Sequence, residues 1–138
     1  MAVVPGMTEL TAPYWDAARE GRLVVQECRS CHQVQHPPLP RCPHCHAADP
    51  GWRQVRGDGT IYTYTIMHRP PSPQFPVPSA LAVVDLAEGY SMFTSLISDE
   101  PVTWRIGDAV AVRFVAQPSG IHLPFFGPDA PSAGSVAL

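Results

Sequence analysis

Four cysteines form two close pairs in the first third of the chain. Cys28 and Cys31 enclose two residues, Cys42 and Cys45 enclose two more, and ten residues separate the pairs. Each Cys-x-x-Cys pair lets the backbone turn tightly, so that two thiolates point at one ion and nearby amides stabilise the sulfur atoms. The spacing therefore predicts one tetrahedral metal site, because two such turns supply four thiolates.

The number of thiolates indicates what this metal can do. Four cysteines complete a tetrahedron and leave no position for water or a substrate, and closed sites of this kind are structural. His44 and His46 lie closest to the second pair and could replace a cysteine, but four sulfur ligands are already present. We therefore expect one structural zinc ion bound by the four cysteines, with iron in the same ligand set as the alternative.

Motifs for other chemistry are weak. No serine lies in a Gly-x-Ser-x-Gly elbow, no glycine-rich phosphate loop is present, and the chain has no lysine that could form a Schiff base. His68 and Arg69 precede a proline-rich loop, and His122 lies near the end of the chain, but none of them belongs to a recognisable acid-base motif. The sequence predicts no catalytic residue in this chain.

Composition restricts the class of protein. Of the 138 residues, 45% are hydrophobic and 15% are charged, and all nine basic residues are arginine against twelve acidic ones. No apolar run approaches the roughly 20 residues of a membrane-spanning helix, and the first residues do not form a secretory signal. We expect a cytoplasmic protein with reduced thiols. Its acidic balance does not favour a nucleic-acid partner.

The segment over residues 1–22 is predicted to contain a short helix. The helix begins near Thr11, whose side chain can cap it, and ends at Gly21. Tyr14 and Trp15 form a bulky stripe on one face. Such a stripe packs against the rest of the same chain or docks on a partner, and the sequence is consistent with both interpretations.

The remainder of the chain is predicted to be β-rich. Residues 23–56 form a zinc ribbon with short strands over 23–25 and 34–36. Residues 57–127 contain five strands rich in β-branched and aromatic residues, over 60–68, 79–86, 90–97, 106–116 and 121–126. The predicted fold is mainly β: an N-terminal helix, a four-cysteine zinc ribbon and a five-stranded OB-fold barrel. Residues 1–7 and a tail over 128–138 have the composition of disordered segments.

Three stretches of this sequence carry a family resemblance. His36-Pro37-Pro38 lies between the cysteine pairs, the run GDGTIYT over 57–63 begins the β-rich part, and RIGDAVAVRF follows over 105–114. With the paired cysteines they resemble the family of acyl-CoA-associated proteins that combine a rubredoxin-like zinc ribbon with an OB-fold. The resemblance covers about residues 12–127.

The resemblance implies a non-catalytic accessory subunit in a hetero-oligomer. Members of the family accompany thiolase-like enzymes as subunits. These enzymes include acyltransferases, thiolases, and aldolases that cleave steroid side-chain CoA thioesters. They help to form the acyl-CoA channel, and the catalytic residues then belong to the partner. A coenzyme A thioester would be contacted as ligand. The candidate partner or acyl-CoA surface in this chain comprises Tyr14, Trp15, His68, Arg69, Phe75, Val77, Phe125 and Phe126.

Two other function classes remain open from the sequence. OB-folds also bind single-stranded nucleic acid by stacking bases on aromatic side chains, and Tyr62, Tyr64 and Phe93 could supply that stacking. The chain could instead act alone on acyl-CoA esters, for example as a component of a hydratase.

Overall fold

The computed structural model describes residues 5–129, so residues 1–4 and 130–138 of the predicted disordered segments 1–7 and 128–138 lie outside the described part, whereas Pro128 belongs to the last strand. One helix, α1 (Ala12–Arg19), is followed by eight strands. The strands are β1 (Leu23–Cys28), β2 (Val34–Gln35), β3 (Pro50–Val55), β4 (Asp58–Met67), β5 (Ser79–Leu86), β6 (Ser91–Leu96), β7 (Ala109–Ala116) and β8 (His122–Pro128). Within residues 5–129, no helix is long and apolar enough to cross a membrane.

Helix α1 forms where the sequence predicted it, but Thr11 acts differently from the expectation. Thr11 occupies the N-cap position without a side-chain bond to the helix. Its hydroxyl instead accepts from the Thr8 amide at 3.0 Å, and the Thr8 hydroxyl accepts from the Thr11 amide at 3.1 Å. This reciprocal pair fixes the chain before the helix. Tyr14, Ala17 and Ala18 form the buried face of α1.

The ribbon is a three-stranded antiparallel sheet in the order β2-β1-β3. Strand β1 begins with apolar residues, all of them buried, and pairs along its whole length with β3, from Leu23 with Val55 to Cys28 with Pro50. Sequence analysis placed no strand over residues 50–55, where β3 begins with Pro50. A proline is acceptable as the first residue of an edge strand, since its missing N–H faces outward.

The second sheet closes into a five-stranded barrel in the order β4-β5-β6-β8-β7. The barrel closes because β4 pairs with β5 and also with β7. Burial alternates along β5, as expected for a strand with one face towards the core. The predicted mainly β fold, with a helix, a zinc ribbon and a five-stranded OB-fold barrel, is confirmed.

The contact between β6 and β8 is the weakest side of the barrel. These strands run parallel, and a single residue pair, Leu96 with Phe126, is in register. The Ile97 amide donates to the Phe126 carbonyl at 2.8 Å. The buried Thr94 hydroxyl donates to the Pro124 carbonyl, also at 2.8 Å. A side-chain hydrogen bond thus supplements the few backbone hydrogen bonds between β6 and β8.

Two positions of the GDGTIYT run, Gly57 and Gly59, require glycine for steric reasons. Gly57 has φ +86°, and a Cβ there would clash with Val112. A Cβ on Gly59 would clash with the backbone carbonyl oxygen of Asp85. Both positions need glycine so that β4 can approach its two neighbours in the barrel.

One hydrophobic core joins the parts that the sequence separates. Buried residues of α1 and of the ribbon strands, such as Tyr14, Val25 and Val55, belong to the same cluster as Val84 and Phe126 of the barrel. The ribbon sheet is therefore packed on the barrel.

Candidate functional site

The two cysteine pairs fold into matching turns. The amide of His32 donates to the Cys28 carbonyl at 2.8 Å, and the amide of His46 donates to the Cys42 carbonyl at 2.9 Å. Both histidines directly follow the second cysteine of a pair and adopt left-handed backbone angles, with φ 65° and 68°. The backbone therefore curls back over each pair and directs its sulfur atoms to a common point.

The four sulfur atoms form a compact group. All lie within 4.8 Å of one another, with 3.7 Å between the Sγ atoms of Cys28 and Cys45 and 3.5 Å between those of Cys31 and Cys42. A tetrahedral zinc with Zn–S bonds of about 2.3 Å requires S–S separations of about 3.8 Å, whereas a disulfide requires about 2.0 Å. The four cysteines are thus positioned for zinc binding.

Backbone amides favour the thiolate form at two of the cysteines. The pKa of Cys28 is lowered, chiefly by the amide of Cys31. At Cys42 burial raises the pKa, but the amides of Cys45 and His44 prevail, and the pKa is about 6. At Cys31 and Cys45 the amides of Gln33 and Ala47 lower the pKa, but burial and hydrogen bonds with neighbouring sulfur atoms outweigh them, and the pKa is raised. Metal binding needs the thiolate, so the amides prepare Cys28 and Cys42 as ligands, while the turns place all four cysteines.

The histidines and arginines beside the cysteines have other contacts. The candidate metal group contains only cysteines, and His44 contributes its backbone amide to the Cys42 sulfur at 3.3 Å. Arg41 donates to the His46 carbonyl at 2.9 Å. Arg29 lies 3.9 Å from the Asp49 carboxylate. These side chains support the loop around the sulfur atoms.

A second feature lies where α1, the ribbon and the barrel meet. An open cleft of about 560 Å³ is formed there, which we call the apolar cleft. Its lining residues are Thr11, Tyr14, Trp15, His36, Pro37, Pro38, Met67, Pro71, Phe75, Leu81, Met92, Phe93, Thr94, Ser95, Leu123, Pro124 and Phe125. The cleft extends over the weak side of the barrel, because both β6 and β8 contribute to it.

The structure brings together four of the eight residues of the predicted partner or acyl-CoA surface. These four line the cleft, and they are Tyr14, Trp15, Phe75 and Phe125. His68, Arg69 and Val77 are exposed outside the lining. Phe126 is fully buried in the barrel core, so its assignment to a surface is wrong. Its neighbour Phe125 is directed to the cleft because side chains alternate along β8.

Aromatic rings connect the three parts along one side of the cleft. Trp15 packs edge-on against Tyr14 with ring centres 4.9 Å apart, and Tyr14 lies 5.5 Å from the His36 ring. His36 in turn lies 6.0 Å from Tyr90, which precedes β6. Burial raises the pKa of Tyr14 and lowers the pKa of His36. Both rings are therefore uncharged near neutral pH.

Sequence analysis quoted His36-Pro37-Pro38 for the family resemblance but gave these residues no role. It also missed Met92 of β6 and Leu123 of β8, which line the cleft. The position of the motif between the cysteine pairs was the available signal, since an apolar turn held by a metal site is suited to pack on another part of the chain.

Both halves of the chain match known protein families. Residues 15–51 match the family described as "ChsH2, rubredoxin-like zinc ribbon domain". Residues 52–115 match "ChsH2, C-terminal OB-fold domain". Together the two matches run without a gap across most of the described residues.

Two curated relatives align with this chain over different shares of their own lengths. A "probable enoyl-CoA hydratase alpha subunit" of Thermomonospora curvata is 35% identical over 95% of this chain, which spans 41% of that protein. A "DUF35 domain-containing scaffold protein" of Pyrococcus furiosus is 36% identical over 64% of this chain and 65% of its own length. The chain thus spans about two fifths of the hydratase subunit.

A solved structure matches this chain over its own full length. A chain in the structure of the Ltp2-ChsH2(DUF35) aldolase has 35% sequence identity and a TM-score of 0.83. The match covers 92% of this chain and 100% of that one.

Proposed function

We propose that this chain, which belongs to the ChsH2 family of proteins with a rubredoxin-like zinc ribbon and an OB-fold domain, is the scaffold subunit of a hetero-oligomeric aldolase. The observation that carries the proposal is its similarity, over the whole length of that chain, to a chain of the Ltp2-ChsH2(DUF35) aldolase. The partner we propose is a thiolase-like protein. The favoured substrate is an acyl-CoA thioester with a steroid side chain.

The metal site supports a structural role. Four cysteine sulfurs surround one point, and such a set leaves a bound zinc without an open position for substrate. Zinc would therefore supply cross-links between the two turns of the ribbon. We also propose a cytoplasmic location, because thiols stay reduced there.

The apolar cleft supports a role beside a partner's active site. No aspartate, glutamate, lysine or arginine is among its lining residues in the described part of the chain. General acid-base catalysis needs a titratable group within reach of the reacting proton, and His36 with its lowered pKa is packed between two tyrosines. In our proposal, aldol cleavage is catalysed by residues of the partner, while this chain shapes the channel.

Co-expression with a thiolase-like protein tests the proposal. The two chains should co-elute in gel filtration, and cleavage of an acyl-CoA aldol substrate should require both. Each chain alone should be inactive. A thiolase-like protein that is fully active and never co-elutes with this chain would overturn the scaffold assignment.

A hydratase component is the second candidate, because the Thermomonospora relative is named as a hydratase alpha subunit. Hydration of an enoyl-CoA by the same purified complex, with no aldol cleavage, would favour it. Nucleic-acid binding has less support. Five of the nine arginines lie in ion pairs with acidic residues, which reduces the positive charge available to a phosphate backbone.

A further inference from the structure

The apolar cleft has the dimensions of a small-molecule site. Its volume of about 560 Å³ lies within the range of about 300–1,000 Å³ that is usual for ligand pockets. Tyr14, Met92 and Leu123 are almost fully buried and form its inner lining. Phe93 is 73% exposed and lies at the rim. The cleft is concave because helix, ribbon turn, proline-rich loop and barrel strands each form part of the wall.

The lining is unsuited to charged ligand groups. All seventeen lining residues are uncharged at neutral pH, and His36 is the lining residue that could take up a proton at lower pH. Burying a phosphate without a cationic partner costs several kcal/mol or more. The nucleotide of coenzyme A carries several phosphate charges, so it does not suit this cleft. A hydrocarbon group suits it well, since its burial removes apolar surface from water.

Five neutral polar side chains lie in this apolar lining, Thr11, Tyr14, His36, Thr94 and Ser95, and Tyr14 and His36 are adjacent rings. The Tyr14 hydroxyl can donate a hydrogen bond, and a neutral His36 has one donor and one acceptor nitrogen. Their ring centres are 5.5 Å apart, so both side chains belong to the same part of the lining. Buried polar groups are normally hydrogen-bonded. A carbonyl or hydroxyl oxygen on an otherwise apolar ligand would provide such a partner.

We propose that the apolar cleft binds the uncharged acyl group of the substrate, a largely hydrocarbon group with an oxygen near Tyr14 and His36, and that the nucleotide of coenzyme A stays outside. This inference rests on the proposed function, which supplies the acyl thioester as ligand. The competing occupant is an apolar segment of the partner protein. The cleft volume of about 560 Å³ and its adjacent tyrosine and histidine favour the small molecule, because a mostly apolar pocket of this size with a few polar groups is typical of small-molecule sites.

Intrinsic fluorescence provides the test, because Trp15 lines the cleft whereas Trp52 and Trp104 do not. The full chain is titrated with a neutral steroid ketone, with the same ring system lacking the oxygen, and with free coenzyme A. We expect the ketone to change the emission in a saturable way and coenzyme A to cause no change. Trp15→Phe should remove the signal.

Tyr14→Phe tests the polar contact while it keeps the ring. Loss of one hydrogen bond should weaken ketone binding by about threefold to tenfold and leave binding of the oxygen-free analogue unchanged. A purely structural role of Tyr14 would weaken both ligands equally. That result would overturn the assignment of the oxygen contact.

A charge in the cleft tests its location. Leu81→Glu places a carboxylate in the lining, and Val83→Glu places one at a half-buried position on the same strand outside it. Only Leu81→Glu should abolish ketone binding, with similar melting temperatures for the two variants. Equal losses, or competition between coenzyme A and the ketone, would overturn the proposal.

The partner provides the remaining comparison. If the thiolase-like protein changes the Trp15 emission while the ketone binds neither the chain nor the complex, the cleft is a protein-docking surface and the proposal fails. The ketone titration of the chain alone needs no partner. Its outcome is therefore separate from whether the chain assembles with a thiolase-like protein.

Discussion

In residues 29–49, which contain the turns of the ribbon, only Cys42 is buried, whereas every second residue of β5 is buried in the barrel. The barrel is stabilised by apolar burial. The turns of the ribbon bury little apolar surface, and they are ordered by hydrogen bonds and by four sulfur atoms that are positioned for zinc. Two regions of one small molecule thus obtain their order from different interactions.

Strand β1 connects the two regions. Its first residues, Leu23 to Val25, belong to the hydrophobic core that is shared with the barrel. Its last residue, Cys28, is a candidate zinc ligand that pairs with Pro50 of β3. The comparison therefore predicts that loss of the metal releases the turns and leaves the ribbon strands on the barrel.

The largest effect is expected from Cys42→Ser, which removes a sulfur ligand. Structural zinc in finger peptides binds with an apparent free energy of about 10–16 kcal/mol at pH 7. The variant should lose zinc, measured by elemental analysis, and residues 29–49 should lose protection from hydrogen exchange. His44→Ala is the matched control in the same turn, and it should retain one zinc per chain. Equal loss of protection in the barrel would break the distinction between the two regions.

A substitution in the barrel should lower the free energy of unfolding without loss of zinc. Gly59→Ala places a Cβ against the Asp85 carbonyl, so β4 and β5 must separate, and overpacking of this kind typically costs about 1–3 kcal/mol. Denaturant unfolding should show this loss with zinc content unchanged. Gly89→Ala is the control, since it has φ +93° with no atom near the added Cβ, and it should cost only about 1 kcal/mol for its backbone strain. A Gly59→Ala variant as stable as the wild type would contradict the close approach.

The cysteine spacing predicted the metal site because its geometry is local. Two residues between ligands fix each turn, and each turn is closed by hydrogen bonds over a few residues. The barrel strands were predicted equally well, since β-branched and aromatic residues alternate along them. Local patterns were sufficient for both.

The apolar cleft could not be predicted in this way. Tyr14, His36, Phe75 and Phe125 are far apart in the sequence and meet only after the ribbon packs on the barrel. Periodicity also failed to separate Phe125 from Phe126, because two adjacent phenylalanines in a strand face opposite sides and the sequence does not say which side is the core.

Thr94→Val sharpens the comparison within the barrel. The valine keeps the volume of the side chain and removes the hydroxyl that donates to the Pro124 carbonyl. A buried carbonyl left without a donor costs about 1–3 kcal/mol, and the loss should appear in denaturant unfolding. Thr63→Val, at an exposed position of β4, should be nearly neutral. Equal effects of the two changes would mean that the β6–β8 contact does not depend on this bond.

The smallest effect concerns His36, where the ribbon meets the barrel, and it depends on pH. Burial lowers the pKa of His36 in the folded protein, whereas in the unfolded chain it is about 6.5. The facing rings of Tyr14 and Tyr90 do not offset a charge, since burial raises the pKa of both tyrosines; for Tyr90, nearby Glu88 adds to the increase. The unfolded chain therefore binds a proton more readily than the folded one.

This difference fixes the sign of the pH dependence. Stability rises with pH wherever the unfolded state binds more protons, so the His36 contribution is complete above about pH 6.5. It is lost as the pH falls below that value, until the folded His36 is itself protonated. Chemical unfolding of wild type and His36→Gln at several pH values should show a smaller acid loss for the variant. His68→Gln, at an exposed position, retains every other titrating group and should follow the wild type. If both variants follow the wild type, the junction does not hold His36 as a neutral ring, and the acid sensitivity belongs to other titrating groups.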